Sequence, residues 1–461
     1  MKKFNLMLLA VVCGVTPLFA QENVESTPAA TEVQEEGKVL KSENIENYRR
    51  SSLYSVLVKH SDAKYGEVID SVFMVMPTPD KFNNHDLAVK SFESSAKNKK
   101  VPEKKRGTDK DPNVESTAQF IQENDVARAL VSKWFNRDAA TGALDMELIK
   151  ERAYYDASAS AIQEADASGA GRAVLVDAGP DLIGKTFMLV NDITFVDKGE
   201  QSAKAATGVK IFGAIAGALI GADLSGITDT VGDAVNEIDG FKVNVITYLY
   251  RLKWNEEVAN TLYESYWVDA SAPDAEKKAA YEQSDLFQME YVGHSFASGG
   301  VTTSKTFSKK SHGEQMAVAC TRAIDKAIVN LQRAYDEFKV NTPIFAVNQD
   351  TKQVEVKIGL KEGVNSKSRY EVLMVDESKG YREYKRVGML KPVADKIWDN
   401  RFGALEEAEM LKQAEAAGEK VKKEADGEES GNVYLTSTTF DIIEGAGNIY
   451  EGMLIREVRI N

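Results

Sequence analysis

Apolar residues return at three- and four-residue steps through "GEQMAVACTRAIDKAIVNLQRAYDEF", with Met316, Ala319, Cys320, Ala323, Ile324, Ala327, Ile328 and Leu331 along one side. That spacing predicts one long helix over 313–339 with a core-facing seam. Two shorter stretches carry the same period. Phe120, Ile121, Val126, Leu130, Val131 and Trp134 mark a helix in 116–135, and Leu148, Ala153, Tyr155, Ala159 and Ile162 mark another in 145–167. Elsewhere β-branched and aromatic residues crowd into extended runs. Strands are predicted in "EVIDSVFMVMP" (67–77), "RAVLVDA" (172–178), "KTFMLVNDITFVD" (185–197) and "GFKVNVITYLYRLKW" (240–254), with a further pair in 285–296 and 300–308.

After Pro343 the pattern shortens to "QVEVKIGL", "RYEVLMVDE", "RVGMLKPV", "STTFDII" and "LIREVRI", short strands between turn residues. One charged, alanine-rich helical stretch, 402–431, interrupts them and reads as an arm on a small barrel. The fold class is therefore α+β. A mixed sheet with packed helices is expected over 45–340, then a small SH3-like barrel over 341–461 carrying the arm 404–431.

Within the first domain, the insertion 200–239 departs most from ordinary globular sequence. Gly213, Gly217 and Gly221 fall every fourth residue, with Ile211, Phe212 and Leu219 among the apolar residues around them. On a helix these glycines form a smooth groove that lets a second helix come close. The apolar run Ile211–Ala222 would span about 18 Å as a helix, short of the roughly 30 Å of a bilayer core. A tightly packed core or subunit helix and a segment that dips into a membrane or lines a multimer both fit.

The first twenty residues, "MKKFNLMLLAVVCGVTPLFA", begin with Lys2 and Lys3, continue apolar and end on small Ala20. This is the form of a secretory signal peptide cleaved after Ala20. Val12 precedes Cys13 where a lipid-anchoring signal needs a small residue, so export without a lipid anchor is expected. Residues 21–44 are acidic and aperiodic, a disordered leader. Loss of Lys2 and Lys3 takes the formal charge from −14 to −16, which argues against a broad nucleic-acid surface. The basic loop 97–113 lacks interleaved aromatics and reads as solvated. Of the two cysteines only Cys320 remains, excluding an internal disulfide and a cysteine-based zinc site. Its place in the helical seam predicts a packed thiol.

Gly179-Pro-Asp-Leu-Ile-Gly184-Lys185-Thr186 fits the phosphate-loop pattern G-x-x-x-x-G-K-[ST]. Such a loop needs a helix to start at once, so that its amides and dipole face the phosphates. Here "FMLVNDITFVD" follows, with strand character, while Pro180 removes a donor and Asp181 adds a carboxylate. A β-turn between strands is the preferred reading. None of His60, His85, His294 and His312 is spaced i, i+4 from another, so no helical metal motif exists. His85 and Asp86, in "KFNNHDL", are the residues near which a hydrolase or ligand-binding site is the alternative expectation, against a turn or helix cap. No cofactor, metal or catalytic residue is assigned.

Three resemblances bear on fold and function. Val354–Ile358, Gly363-Val364 in a turn, Tyr370–Val372 and Val387-Gly388 resemble the small barrel that ends flagellar assembly protein T and allied envelope proteins. The long helix, with 146–177 and its Ile149-Lys-Glu-Arg152, resembles the α/β domain of the curli-secretion and TolB amino-terminal type. The amino-terminal "NYRRSSLYSVLV" and "PTPDKFNNHDL" resemble exported proteins of Bacteroidetes-type bacteria. These families imply a non-enzymatic assembly or scaffolding protein of the periplasm or outer membrane. Envelope proteins, a second copy through the glycine groove, or a membrane surface are the partners implied, with no nucleic acid.

Overall fold

Strand β1 (Ser51–Lys59) runs through the middle of a six-stranded mixed sheet. The computed structural model describes residues 48–93, 111–154, 182–195, 242–301, 310–376, 383–418 and 431–458. The signal segment and leader, "RAVLVDA", Gly179–Asp181, the insertion with Gly213, Gly217, Gly221, Ile211, Phe212 and Leu219, and the outer arm 419–430 lie outside these residues.

The stretch expected as a strand at 67–77 is instead helix α1 (Gly66–Val75). Its buried residues, Val68, Ile69, Val72 and Phe73, sit at helical spacing, and that periodicity overrides the β-branched composition. Short strands β2 (Phe82–Asn84) and β3 (Ser91–Glu93) both pair parallel to β1 along one side. The single helix expected over 116–135 is two, α2 (Pro112–Glu123) and α3 (Val126–Trp134). They part at Asp125, which adopts φ +46, a left-handed conformation that no helix can continue through. Asp111 caps α2 and Pro112 occupies its first turn, where the missing N–H costs nothing. Helix α4 covers Glu147–Tyr154.

Thr186–Phe195 forms β4, parallel to β1, and Lys242–Leu252 forms β5, antiparallel to β4. The turns α5 (Glu256–Thr261) and α6 (Ala275–Glu282) follow. Of the strand pair expected at 285–296 and 300–308, the first is β6 (Met289–Gly300), on the far side of β5, and the second lies almost wholly outside the described residues. Helix α7 (His312–Ala334) starts in a capping box in which the Ser311 hydroxyl accepts from the Glu314 N–H and the Glu314 carboxylate accepts from the Ser311 N–H. It ends before the predicted 339 because the chain turns at Tyr335. That turn sends Phe338 between the rings of Phe82 and Phe187, at 5.4 and 4.9 Å.

Strand alternation splits the core in two. Leu53 and Leu57 of β1, Phe187 and Leu189 of β4, and Val245 and Leu249 of β5 pack against α1 and α7. Tyr54 and Val56, Met188 and Val190, and Tyr248 and Tyr250 face α2, α3 and α4. On β6 the residues under α7 are all small: Gly293, Ser295, Ala297 and Gly299. A Cβ at Gly299 would fall on the Ala319 carbonyl oxygen, so the glycine is what lets the helix backbone approach. Cys320 lies in this interface, fully buried, its thiol pushed up to about 12 by burial. It is a packing thiol, as its position in the seam predicts.

The remaining strands close a six-stranded antiparallel barrel. They are β7 (Thr342–Asn348), β8 (Gln353–Val356), β9 (Tyr370–Asp376), β10 (Glu383–Pro392), β11 (Thr438–Glu444) and β12 (Leu454–Glu457), in the order β10-β11-β8-β7-β12-β9. All strands expected after Pro343 are present, and β7 is one the sequence pattern did not reveal. Ile344, Val354, Val372, Leu390, Phe440 and Ile455 fill the interior. Gly363 takes φ +75 at its turn, and the Val387-Gly388 step is a register shift in β10. Helix α8 (Ala404–Ala416) is the described part of the arm. Among the described residues no helix is long and apolar enough to cross a membrane.

Because Gly299 sits against helix backbone rather than a mobile side chain, Gly299→Ala should destabilise the protein by about 1–3 kcal/mol. Urea unfolding measures this, and an unchanged midpoint would contradict the close approach.

Candidate functional site

The phosphate-loop match meets a strand. Leu182–Ile183 are helical, Gly184–Lys185 turn, and β4 begins at Thr186, so among the described residues a strand and not a helix follows Lys185. Thr186 is fully buried, and its hydroxyl accepts from the Trp134 indole N–H at 2.8 Å. The Gly184 carbonyl accepts from Arg251 at 2.7 Å and the Lys185 carbonyl from the Ser52 N–H at 3.0 Å. These groups stitch the start of β4 to its neighbours.

His85 and Asp86 lie in the packing between the sheet and α3. His85 is fully buried, its ring 5.0 Å from that of Trp134. Burial, with the Arg152 charge beside it, lowers its pKa to about 3, so the ring is neutral. Arginine only donates, which fixes the tautomer: Nδ1 accepts from Arg152 Nη1 at 3.0 Å and Nε2–H donates to the Leu130 carbonyl at 3.0 Å. Arg152 also donates to Ser52 Oγ and the Asn84 carbonyl, and stacks over Trp134. The last residue of the Ile149–Arg152 motif is thus a bolt joining α4, β1, the end of β2 and α3. Asp86 accepts from the Ser55 N–H at 3.0 Å and pairs with Lys90.

A second polar cluster was missed as a site. Asp192 stands near the carboxyl end of β4, where its Oδ1 meets His60 Nε2 at 2.7 Å and its Oδ2 accepts from Asn113 Nδ2 at 2.7 Å. Asn113 reaches Tyr248, whose hydroxyl donates to Asp111 at 2.8 Å. Asp111, Asn113, Asp192 and Tyr248 are all buried. His60 follows the end of β1, so the imidazole and its carboxylate share the carboxyl ends of two adjacent parallel strands, a common ligand position in such sheets. A pocket of about 100 Å³ opens there, lined by Lys59, His60, Lys64, Gly66 and Phe195. The hydrogen bond and charge of Asp192 raise the His60 pKa against the effect of burial. The sequence signal was the pair Asn191-Asp192 inside an otherwise apolar strand.

A larger concavity lies at the junction of sheet layer and barrel. Helix α7 faces the sheet with one side and holds the barrel and arm with the other. Arg333 grips Glu457 of β12 through two nitrogens, at 3.0 and 2.8 Å, and donates to the Gly363 carbonyl. Arg322 pairs with Glu407 of α8 at 2.6 Å, both side chains nearly buried, and donates to the Phe402 carbonyl. Lys310 pairs with Glu406 at 2.7 Å. From the loop after α1, Asp80 pairs with Lys361 at 2.8 Å and Lys81 donates to the Lys357 carbonyl at 2.7 Å. Between these ties lies a cleft of about 680 Å³ whose walls include Lys81, Lys357, Trp398, Asn400, Arg401 and Leu405. Leu405 and Tyr434 are exposed beside it. The arm proposed from sequence therefore has its root at the cleft. Among the described residues no group of three His, Cys, Asp or Glu side chains is placed to hold a metal ion.

The His60–Asp192 pair carries a pH signature. A histidine whose folded pKa is raised adds stability that is complete below its ordinary 6.5 and lost as pH rises through the folded value. His60→Gln should therefore destabilise most near pH 6 and progressively less toward pH 9, as measured by urea unfolding across that range. A penalty independent of pH would contradict the ion pair. No family model matches this chain, and no curated protein matches its sequence.

Proposed function

We propose that this chain is a non-enzymatic scaffold of the cell envelope, exported to the periplasm or outer membrane, which holds a partner protein in the cleft at the root of its arm. The observation that carries this reading is the mounting of α8. Arg322–Glu407 fixes the arm's base to the helix that also grips sheet and barrel, and Lys310–Glu406 ties it to the residue just before that helix's cap. Breaking a nearly buried pair such as Arg322–Glu407 costs about 3–5 kcal/mol. Such an arm is held at a set angle, which suits presentation of a surface. The cleft offers a partner apolar area at Trp398 and Leu405 beside fixed charges, a composition shared by protein interfaces. Self-association through Gly213, Gly217 and Gly221 belongs to the same proposal and rests on their spacing in sequence.

A second reading, a small-ligand or hydrolytic site, is favoured by the His60–Asp192 pair at its pocket. One experiment separates the two. A photo-crosslinking residue placed at Leu405 in whole cells should give one discrete protein adduct, absent when it is placed at Val89. That adduct should persist in His60→Ala. Gly217→Leu should leave it intact while removing any adduct between copies of the chain. Equal labelling from Leu405 and Val89 would contradict the scaffold reading.

A further inference from the structure

Asp325 lies on the barrel side of α7, 9% exposed, and faces a cavity of about 60 Å³ between that helix, the Pro79–Phe82 segment and the barrel. Every other acid named at the junction has a partner. Asp80 takes Lys361, Glu407 takes Arg322, Glu457 takes Arg333, and Glu362 accepts from the Gly359 N–H and the Asn400 amide. No hydrogen bond from the described residues reaches the Asp325 carboxyl. A carboxylate placed this way loses most of its water and gains no protein donor in return, whereas a neutral carboxylic acid loses far less.

We propose that Asp325 is a proton-controlled latch between sheet layer and barrel: its carboxyl, set without a protein donor at the α7–barrel cavity, keeps the junction closed when protonated and loosens it when ionised. The charged groups that face it come from each packed element. The barrel brings Lys361 and Glu362, the loop after α1 brings Asp80, and its own helix brings Arg322. Lys81, Arg456 and Glu457 complete the polar wall of the cavity. Lys361 and Arg322 are the cations whose charge offsets ionisation, and both are already engaged: the Lys361 ammonium donates to Asp80 at 2.8 Å and the Arg322 guanidinium to Glu407. Burial is the largest influence on Asp325 and holds its pKa up at about 7, from an ordinary 3.8.

The sign follows from that direction. An acid whose pKa is raised in the closed state favours closure while protonated, and the closed state loses ground as pH climbs from 3.8 toward 7. Above that window the effect is spent. Asp80, Lys81, Thr342 and Glu362 line both this cavity and the 680 Å³ cleft, so a loosened junction reshapes the cleft floor. The latch stands on the junction's geometry and not on which partner the cleft takes.

Hydrogen exchange of the full chain, corrected for intrinsic rates, tests it in the segments 79–82, 325–332 and 358–364. In the wild type the opening equilibrium should rise by up to about tenfold per pH unit between pH 5 and pH 7, then level off. Asp325→Asn, which keeps the shape and cannot ionise, should stay protected throughout. Lys361→Met, which removes one offsetting cation and so raises the closed-state pKa further, should carry the rise on to higher pH before it levels off. Protection in the wild type that does not change from pH 5 to pH 7, or an equal loss in Asp325→Asn, would overturn the latch.

Discussion

The contact of α7 with β6 is the constraint from which the rest of the architecture follows. Gly293, Ser295, Ala297 and Gly299 remove side-chain bulk from one face of the strand, and Ala319, Cys320, Ala323 and Ala327 do the same for the helix. Ser295 adds a hydrogen bond to the Ala327 carbonyl at 2.9 Å. The helix backbone therefore lies close against the sheet, which leaves its far side free to carry Arg322, Asp325 and Arg333 toward barrel and arm. A bulkier interface would lift the helix and carry these charges away from Glu407 and Glu457. Packing on one side of α7 thus sets the register of the polar ties on the other.

Buried polar groups divide by what surrounds them. Arg152 and His85 form a completed unit: the imidazole is neutral, both its nitrogens are engaged, and the guanidinium donates to three acceptors. Such a unit holds helices to a sheet and offers nothing to solvent. The His60–Asp192 pair differs because it opens onto a pocket, and Asp325 differs because its carboxyl has no donor. Chemistry and control are to be sought at these last two places, since fully satisfied networks mainly specify a structure.

Where periodicity and packing agree, the fold was legible in the sequence. The α7 seam, β4 after Thr186, β5, and the short strands after Pro343 all follow from residue spacing. Helix α1 was misread because Val68, Ile69, Val72 and Val75 favour strands by type while their spacing favours a helix. The break at Asp125 was invisible because an aspartate in a left-handed conformation leaves no glycine or proline behind. The sites were less legible still. Asn191-Asp192 was visible as a polar step within a strand, but its partners are distant in sequence: His60 meets it through the parallel pairing of β1 with β4, and Asn113 through the packing of α2 on the sheet. The isolation of Asp325 depends on the barrel docking against α7, which no local pattern encodes.

That α7 makes sheet layer, barrel and arm into one mechanical body is most directly tested by differential scanning calorimetry of the protein. The structure predicts a single transition whose calorimetric and van't Hoff enthalpies agree. Two separated transitions, with the barrel melting apart from the sheet layer, would contradict it.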